Sequence, residues 1–144
     1  MPVKKWRRFA EIVLFFVLLA AMVFPFSVRT ADATEALDGD RILSLTGGDR
    51  FSLALRADGT VVAWGGNNPG KDVPADLSDV KAISGGYTHA LALKEDGSVV
   101  AWGDNMQGSQ YTGQAEVPEE ALSGVTAIAA GYYHSLALKE DGSV

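Results

Sequence analysis

The chain has no cysteine among its 144 residues. Disulfide staples and thiolate metal sites are thereby excluded, and stability has to come from packed apolar surface and backbone pairing. Histidine is nearly missing, with only His89 and His134. Basic residues become scarce after residue 33. Seven lysines and arginines then face sixteen aspartates and glutamates, a net charge of −9. Such a surface repels phosphate backbones and anionic lipid, so no nucleic-acid partner is expected. A sustained helical period of apolar residues is also lacking after residue 33.

The opening residues differ from the rest. Lys4, Lys5, Arg7 and Arg8 precede a stretch from Ile12 to Val28 that is apolar except for Ser27. Ala31-Asp32-Ala33 follows, with small residues in an A-x-A arrangement. This order predicts a secretory signal peptide over 1–33, forming a hydrophobic helix and cleaved after Ala33. Pro25 would end that helix near the cleavage site. The alternative is an uncleaved anchor, with residues 12–28 just long enough to cross a bilayer. The positive-inside tendency puts the remainder outside in either case, secreted or on the cell surface. A linker is expected over 34–41.

What the chain does have is a repeat. Gly86-Tyr87-Thr88-His89-Ala90-Leu91-Ala92-Leu93-Lys94-Glu95-Asp96-Gly97-Ser98-Val99-Val100-Ala101-Trp102-Gly103 is matched 38 residues earlier by Gly48 to Gly65 and 45 residues later by Gly131 to Val144. The units run over about 42–79, 80–124 and 125–144. Within one unit, Ala90 to Lys94 alternates small and large apolar residues, the pattern of a strand packed on both faces, one of them tightly. Asp96-Gly97 suits a tight hairpin. Val99-Val100-Ala101-Trp102 reads as the returning strand, and Val125 to Ala129 as a further strand opening the next unit. Three short strands in 38 to 45 residues cannot bury both faces of their own small sheet. Stacking like units side by side does so, which predicts propeller blades.

The motif carried by Gly86, His89, Leu91 to Lys94, Asp96, Gly97 and Val99 to Gly103 resembles the regulator of chromosome condensation repeat. The spacing from His89 to Trp102, with Trp102 before Gly103, disfavours WD repeats. The resemblance implies an all-β chain: a partial β-propeller of two full blades plus part of a third. The short units look most like those of bacterial secreted members. Gly113 to Gly131 is similar in style to the propeller-type β-lactamase inhibitor proteins, which are seven-bladed binders. Protein binding through a loop face is therefore the expected function. Inhibition of a secreted or periplasmic enzyme such as a β-lactamase is the alternative. Nucleotide exchange on a small GTPase is disfavoured by the export signal and the acidic charge. A propeller needs at least four blades to close. Missing blades are expected from a longer chain, of which this is a fragment, or from self-assembly of several chains.

No catalytic, cofactor-binding or metal-ligating set is expected. The first unit has Phe51 where the others have His89 and His134, so these histidines read as repeat positions that hydrogen-bond within their own blade. Ser135 beside His134 is no catalytic pair, because strand neighbours point to opposite faces. Asp58, Asp96 and Asp141 each precede glycine and read as turn residues; no calcium-loop pattern surrounds them. Trp64 and Trp102 are expected between blades. Gly48, Gly86 and Gly131 read as turn glycines, each opening a strand and not a helix, which excludes a phosphate cradle. The positions that vary between units are better candidates for binding. Asp49-Arg50, Tyr87-Thr88 and Tyr132-Tyr133 follow the repeat glycine in the loop entering a strand. The loop from Met106 to Gln114, with Tyr111, is the second variable place. Tyrosine and arginine are frequent anchors of protein interfaces.

Overall fold

The computed structural model describes residues 38–144, which lie in one compact unit. The predicted signal segment, and with it any crossing through residues 12–28, lies outside the described residues. So does the first half of the linker, residues 34–37. Among the described residues, no helix is long and apolar enough to cross a membrane.

The first unit folds as an antiparallel sheet of β1 (Ile42–Gly47), β2 (Phe51–Arg56) and β3 (Val61–Gly65), in that order. The second repeats it with β4 (Val80–Gly85), β5 (His89–Lys94) and β6 (Val99–Gly103). A two-residue hairpin, β7 (Met106–Gln107) and β8 (Gln110–Tyr111), follows within the variable loop. The third unit pairs β9 (Val125–Ala130) with β10 (Ser135–Lys139). Among the described residues the fold is thus all-β, two full blades and part of a third.

Each blade repeats the same irregularity. Pairing shifts between Ile42 and Ser44, between Val80 and Ala82, and opposite Leu138 and Lys139, leaving Leu43, Lys81 and Thr126 as the extra residues. A bulge at one fixed place increases the twist of every first strand alike. The hairpin tips also repeat. The Oδ1 of Asp58 accepts the amide and hydroxyl of Thr60, and Asp96 and Asp141 do the same for Ser98 and Ser143. Those bonds hold all three carboxyls below the ordinary carboxylate range. Gly59, Gly97 and Gly142 supply the positive φ of these turns, near 80°.

The blades dock flank to flank. On one side of β5, the small Ala90 and Ala92 let the sheet approach Phe51, Leu53 and Leu55 of β2, with Trp102 and Val80 completing a buried cluster. On its other side, Leu93 and Val99 pack with Ala121 and Val125 towards the third blade. Burying one such leucine contributes about 1.5–3 kcal/mol. Hydrogen bonds between blades recur in register. Thr46 Oγ1 accepts the Gly85 amide at 3.0 Å, and Ser84 Oγ accepts the Ala130 amide at 2.9 Å. The Val80 amide reaches Gly59 O at 3.1 Å, and the Val125 amide reaches Gly97 O at 3.0 Å.

The repeat glycines open the turns, the amides of Gly48, Gly86 and Gly131 bonding the carbonyls of Phe51, His89 and His134, but backbone freedom is not what they supply. Gly48, Gly86 and Gly131 do not have positive φ. They are needed for close approach. A Cβ on Gly86 would collide with the His89 ring and with the Gly131 carbonyl of the next blade; one on Gly48 would strike Phe51 and the Gly86 carbonyl. The glycine is fixed by the ring three residues later and by the neighbouring blade.

Candidate functional site

The β1–β2, β4–β5 and β9–β10 loops carry most of the predicted binding residues, and the blades bring them together at one end. Tyr87 and Tyr132 stack with ring centroids 3.9 Å apart and planes 16° from parallel. Tyr133 meets Tyr132 edge-on at 4.4 Å and Tyr87 at 6.0 Å. Pairs of this kind are worth about 0.5–1.5 kcal/mol each beyond the area they bury. Hydrogen bonding to Tyr87, then burial and the Tyr133 phenol, push the Tyr132 phenol above its ordinary value, so it stays protonated.

Beside the rings lies a recess of about 370 Å³, walled by Asp49, Tyr87 and Tyr132. Gly47-Gly48, Gly85-Gly86 and Ala130-Gly131, the ends of the three first strands with the glycines that follow, complete its lining. The Asp49 amide bonds Tyr87 O at 2.9 Å, and the Asn68 amide nitrogen bonds Asp49 O at 2.7 Å, so two loops are tied together. Arg50 has φ 62°, a conformation that costs a non-glycine residue about 1–2 kcal/mol. Its guanidinium stands 3.8 Å from Asp49 on an exposed surface. An exposed pair of that kind adds little to stability.

Two candidates stand apart. Thr88 is turned inward, its hydroxyl buried without a partner, and its carbonyl accepts the Asp104 amide. Tyr111 lies on β8 and donates to Glu116, which raises its phenol above the ordinary value.

The two histidines sit in unlike surroundings, His89 buried and His134 exposed. His89 is fully buried, and its Nε2 lies 3.1 Å from Ser135 Oγ in the third blade. Ser135 Oγ donates to Gln114 O at 2.7 Å. Its one proton is thus committed, and His89 must donate from Nε2, leaving Nδ1 as an acceptor without a partner. This bond crosses a blade junction, where one within the blade was expected. Burial, then the nearby His134, lowers the His89 pKa. Among the described residues no group of three or more acidic or histidine side chains is placed to hold a metal.

Trp102 also crosses a junction, its Nε1 donating to Gly70 O of the first blade at 2.7 Å. Trp64 holds the equivalent place in the first blade but is half exposed, because no blade lies on its flank among the described residues.

The model of the Regulator of chromosome condensation (RCC1) repeat matches residues 42–70, 80–109 and 125–144. The chain belongs to this repeat family. Among solved structures it is similar to yeast RCC1 (Prp20) bound to Kap60, with 30% identity and a TM-score of 0.55, over 71% of this chain and 28% of that one. A structure of Prp20p from Saccharomyces cerevisiae, studied with its binding to Gsp1p and histones, gives 31% identity and a TM-score of 0.55 over 71% and 29%. The ectodomain of the Physcomitrella patens receptor kinase CR4 gives 28% identity and a TM-score of 0.57 over 69% and 27%. The chain spans little more than a quarter of the length of these relatives. Comparison with the curated proteins finds no match. The blades described above are therefore those of an RCC1-repeat propeller, a fold that suggests a protein-binding module.

Sequence reasoning placed the tyrosines in loops but not their mutual stacking. It missed Asn68 and Gln114, both buried polar residues. The signal available was Val73-Pro74 against Val117-Pro118, which aligns the loops that precede them.

Proposed function

We propose that this chain is part of an exported propeller that binds a protein partner through the loop end bearing Tyr87, Tyr132 and Tyr133, and that it does no catalysis. One observation carries the reading: three tyrosines from two successive blades form a single packed cluster beside an open recess. Rigid aromatic side chains lose little entropy on binding and anchor interfaces well. The recess adds one carboxylate, Asp49, to two tyrosine walls. That combination suits a lysine or arginine side chain, held by cation–π contact and charge. The net charge of −9 after residue 33 favours a basic partner surface. Support for export is the basic and apolar opening of the sequence. Support for protein binding includes the yeast relative, which is bound to Kap60 in one structure and was studied for its binding to Gsp1p and histones with another.

The test is quantitative capture. Immobilised wild-type chain and a Tyr87→Ala, Tyr132→Ala, Tyr133→Ala variant are exposed to extracytoplasmic proteins. The partner retained by wild type should be lost from the variant, and should elute at raised salt. Equal retention by both rejects this face as the binding surface.

A further inference from the structure

Tyrosine follows the repeat glycine in two successive blades, as Tyr87 and Tyr132, 45 residues apart. The first blade has Asp49 at that place. Docking of the second and third blades makes the two rings neighbours, and two bonds across the same junction hold their loops in register. Ser84 Oγ accepts the Ala130 amide at 2.9 Å, and His89 Nε2 lies 3.1 Å from Ser135 Oγ. The rings sit with centroids 3.9 Å apart and planes 16° from parallel. At that separation the carbons of one ring are in van der Waals contact with those of the other.

The two rings also point the same way. The Tyr132 phenol interacts by hydrogen bonding with the phenols of Tyr87 and Tyr133, so the hydroxyl-bearing ends of the rings converge. Stacked rings whose hydroxyls converge bring together the ortho carbons that flank each C–OH bond. Those are carbons on which a phenoxyl radical carries its unpaired electron. Tyr133 meets both partners edge-on, at 76° and 80°, so its ring does not lie over either of theirs. Tyr111 stands apart on β8, bonded to Glu116. Tyr132 is 52% exposed and open to an oxidant from solution.

We propose that Tyr87 and Tyr132 are an oxidative modification site, coupled by a one-electron oxidant into an intramolecular dityrosine that joins the second blade to the third. Each phenol gives up one electron and its hydroxyl proton and becomes a phenoxyl radical. The two radicals combine through one ortho carbon each, forming a carbon–carbon bond. The hydrogens on those two carbons leave as protons, and two protons return to the phenol oxygens. The net loss is two electrons and two protons. A peroxidase takes them, reducing one hydrogen peroxide to two waters. Rings already held in contact couple within one chain in preference to between chains. The chain has no cysteine, so no disulfide can tie these blades. The new bond closes a loop across a junction that packing and hydrogen bonds otherwise hold, and restricting the unfolded chain in this way stabilises the folded one. This inference does not rest on the protein-binding reading.

The test treats the full chain, kept dilute, with a peroxidase and hydrogen peroxide. Dityrosine fluorescence should appear in a monomeric product lighter than the untreated chain by two hydrogen atoms. Trypsin should then release residues 82–94 linked to residues 95–139. Tyr87→Phe and Tyr132→Phe keep the rings and remove one hydroxyl, and each should abolish the product. Tyr133→Phe and Tyr111→Phe should retain it. The coupled chain should unfold at a higher urea concentration than the untreated one. Covalent dimers in place of the monomeric product, or a linked product that survives Tyr87→Phe, would overturn the proposal. So would oxidation confined to methionine, seen as a gain of oxygen, or a urea midpoint that coupling leaves unchanged.

Discussion

The inner junction and the outer flanks of this propeller segment are made of the same residues in different surroundings. Trp102 is 7% exposed and Trp64 is 49% exposed, although both occupy one repeat position. Leu91 and Leu93 are 2% and 1% exposed, while their counterparts Leu136 and Leu138 are 48% and 41% exposed. Local sequence makes the strand in each case. Burial depends on whether a neighbouring blade is there. Stability in such an array is a sum of units and interfaces, so the residues that matter are those at the occupied junctions.

Substitutions at paired positions can break this comparison. The largest contrast is expected for tryptophan. Trp102→Ala should lose about 3–5 kcal/mol of stability, whereas Trp64→Ala should lose about 1 kcal/mol or less. Urea unfolding followed by far-ultraviolet circular dichroism measures both. The leucines come next: Leu93→Ala should cost about 2–5 kcal/mol, and Leu138→Ala about 1 kcal/mol or less. Equal costs within either pair would mean that the blades do not dock as described. Ser84→Ala removes the acceptor of the Ala130 amide between blades and should cost about 1 kcal/mol in the same assay.

The smallest effect is a pH dependence. His89 is neutral in its buried place, and its pKa there is lowered from the ordinary 6.5. The unfolded chain takes up a proton near 6.5, and the folded chain only at lower pH. Stability from this residue is therefore complete above 6.5 and declines as the pH falls through that value. The hairpin-tip carboxylates, ordinarily at 3.8 and lowered further, add their own loss only in stronger acid. His89→Phe, which copies Phe51 of the first blade, should flatten the urea midpoint between pH 7.5 and 5. A slope unchanged by that substitution would assign it elsewhere.

Much of the fold was legible because it is local. Alternation in Ala90 to Leu93 and the Asp-Gly tips gave strands and hairpins directly, and repetition gave the blades. Contacts across a junction were less legible. The 3.1 Å approach of His89 and Ser135 joins residues 46 apart, and nothing near either one announces the other. The glycines before the rings were visible, yet their reason was not, since a ring and a carbonyl from elsewhere occupy the space. The β7–β8 hairpin was read only as a loop, because Met106–Gln107 and Gln110–Tyr111 are too short to show alternation. Of the candidate site, the loop tyrosines were foreseen one by one. Their stacking needed two blades placed side by side.

Acrylamide quenching of tryptophan tests the docking of the blades most directly. Two single-tryptophan chains, one retaining Trp102 and the other Trp64, carry phenylalanine at the remaining tryptophan positions. The Trp102 chain should emit at shorter wavelength and resist quenching, while the Trp64 chain should be readily quenched. Equal quenching of the two, with circular dichroism showing intact strands, would contradict flank-to-flank packing of the blades.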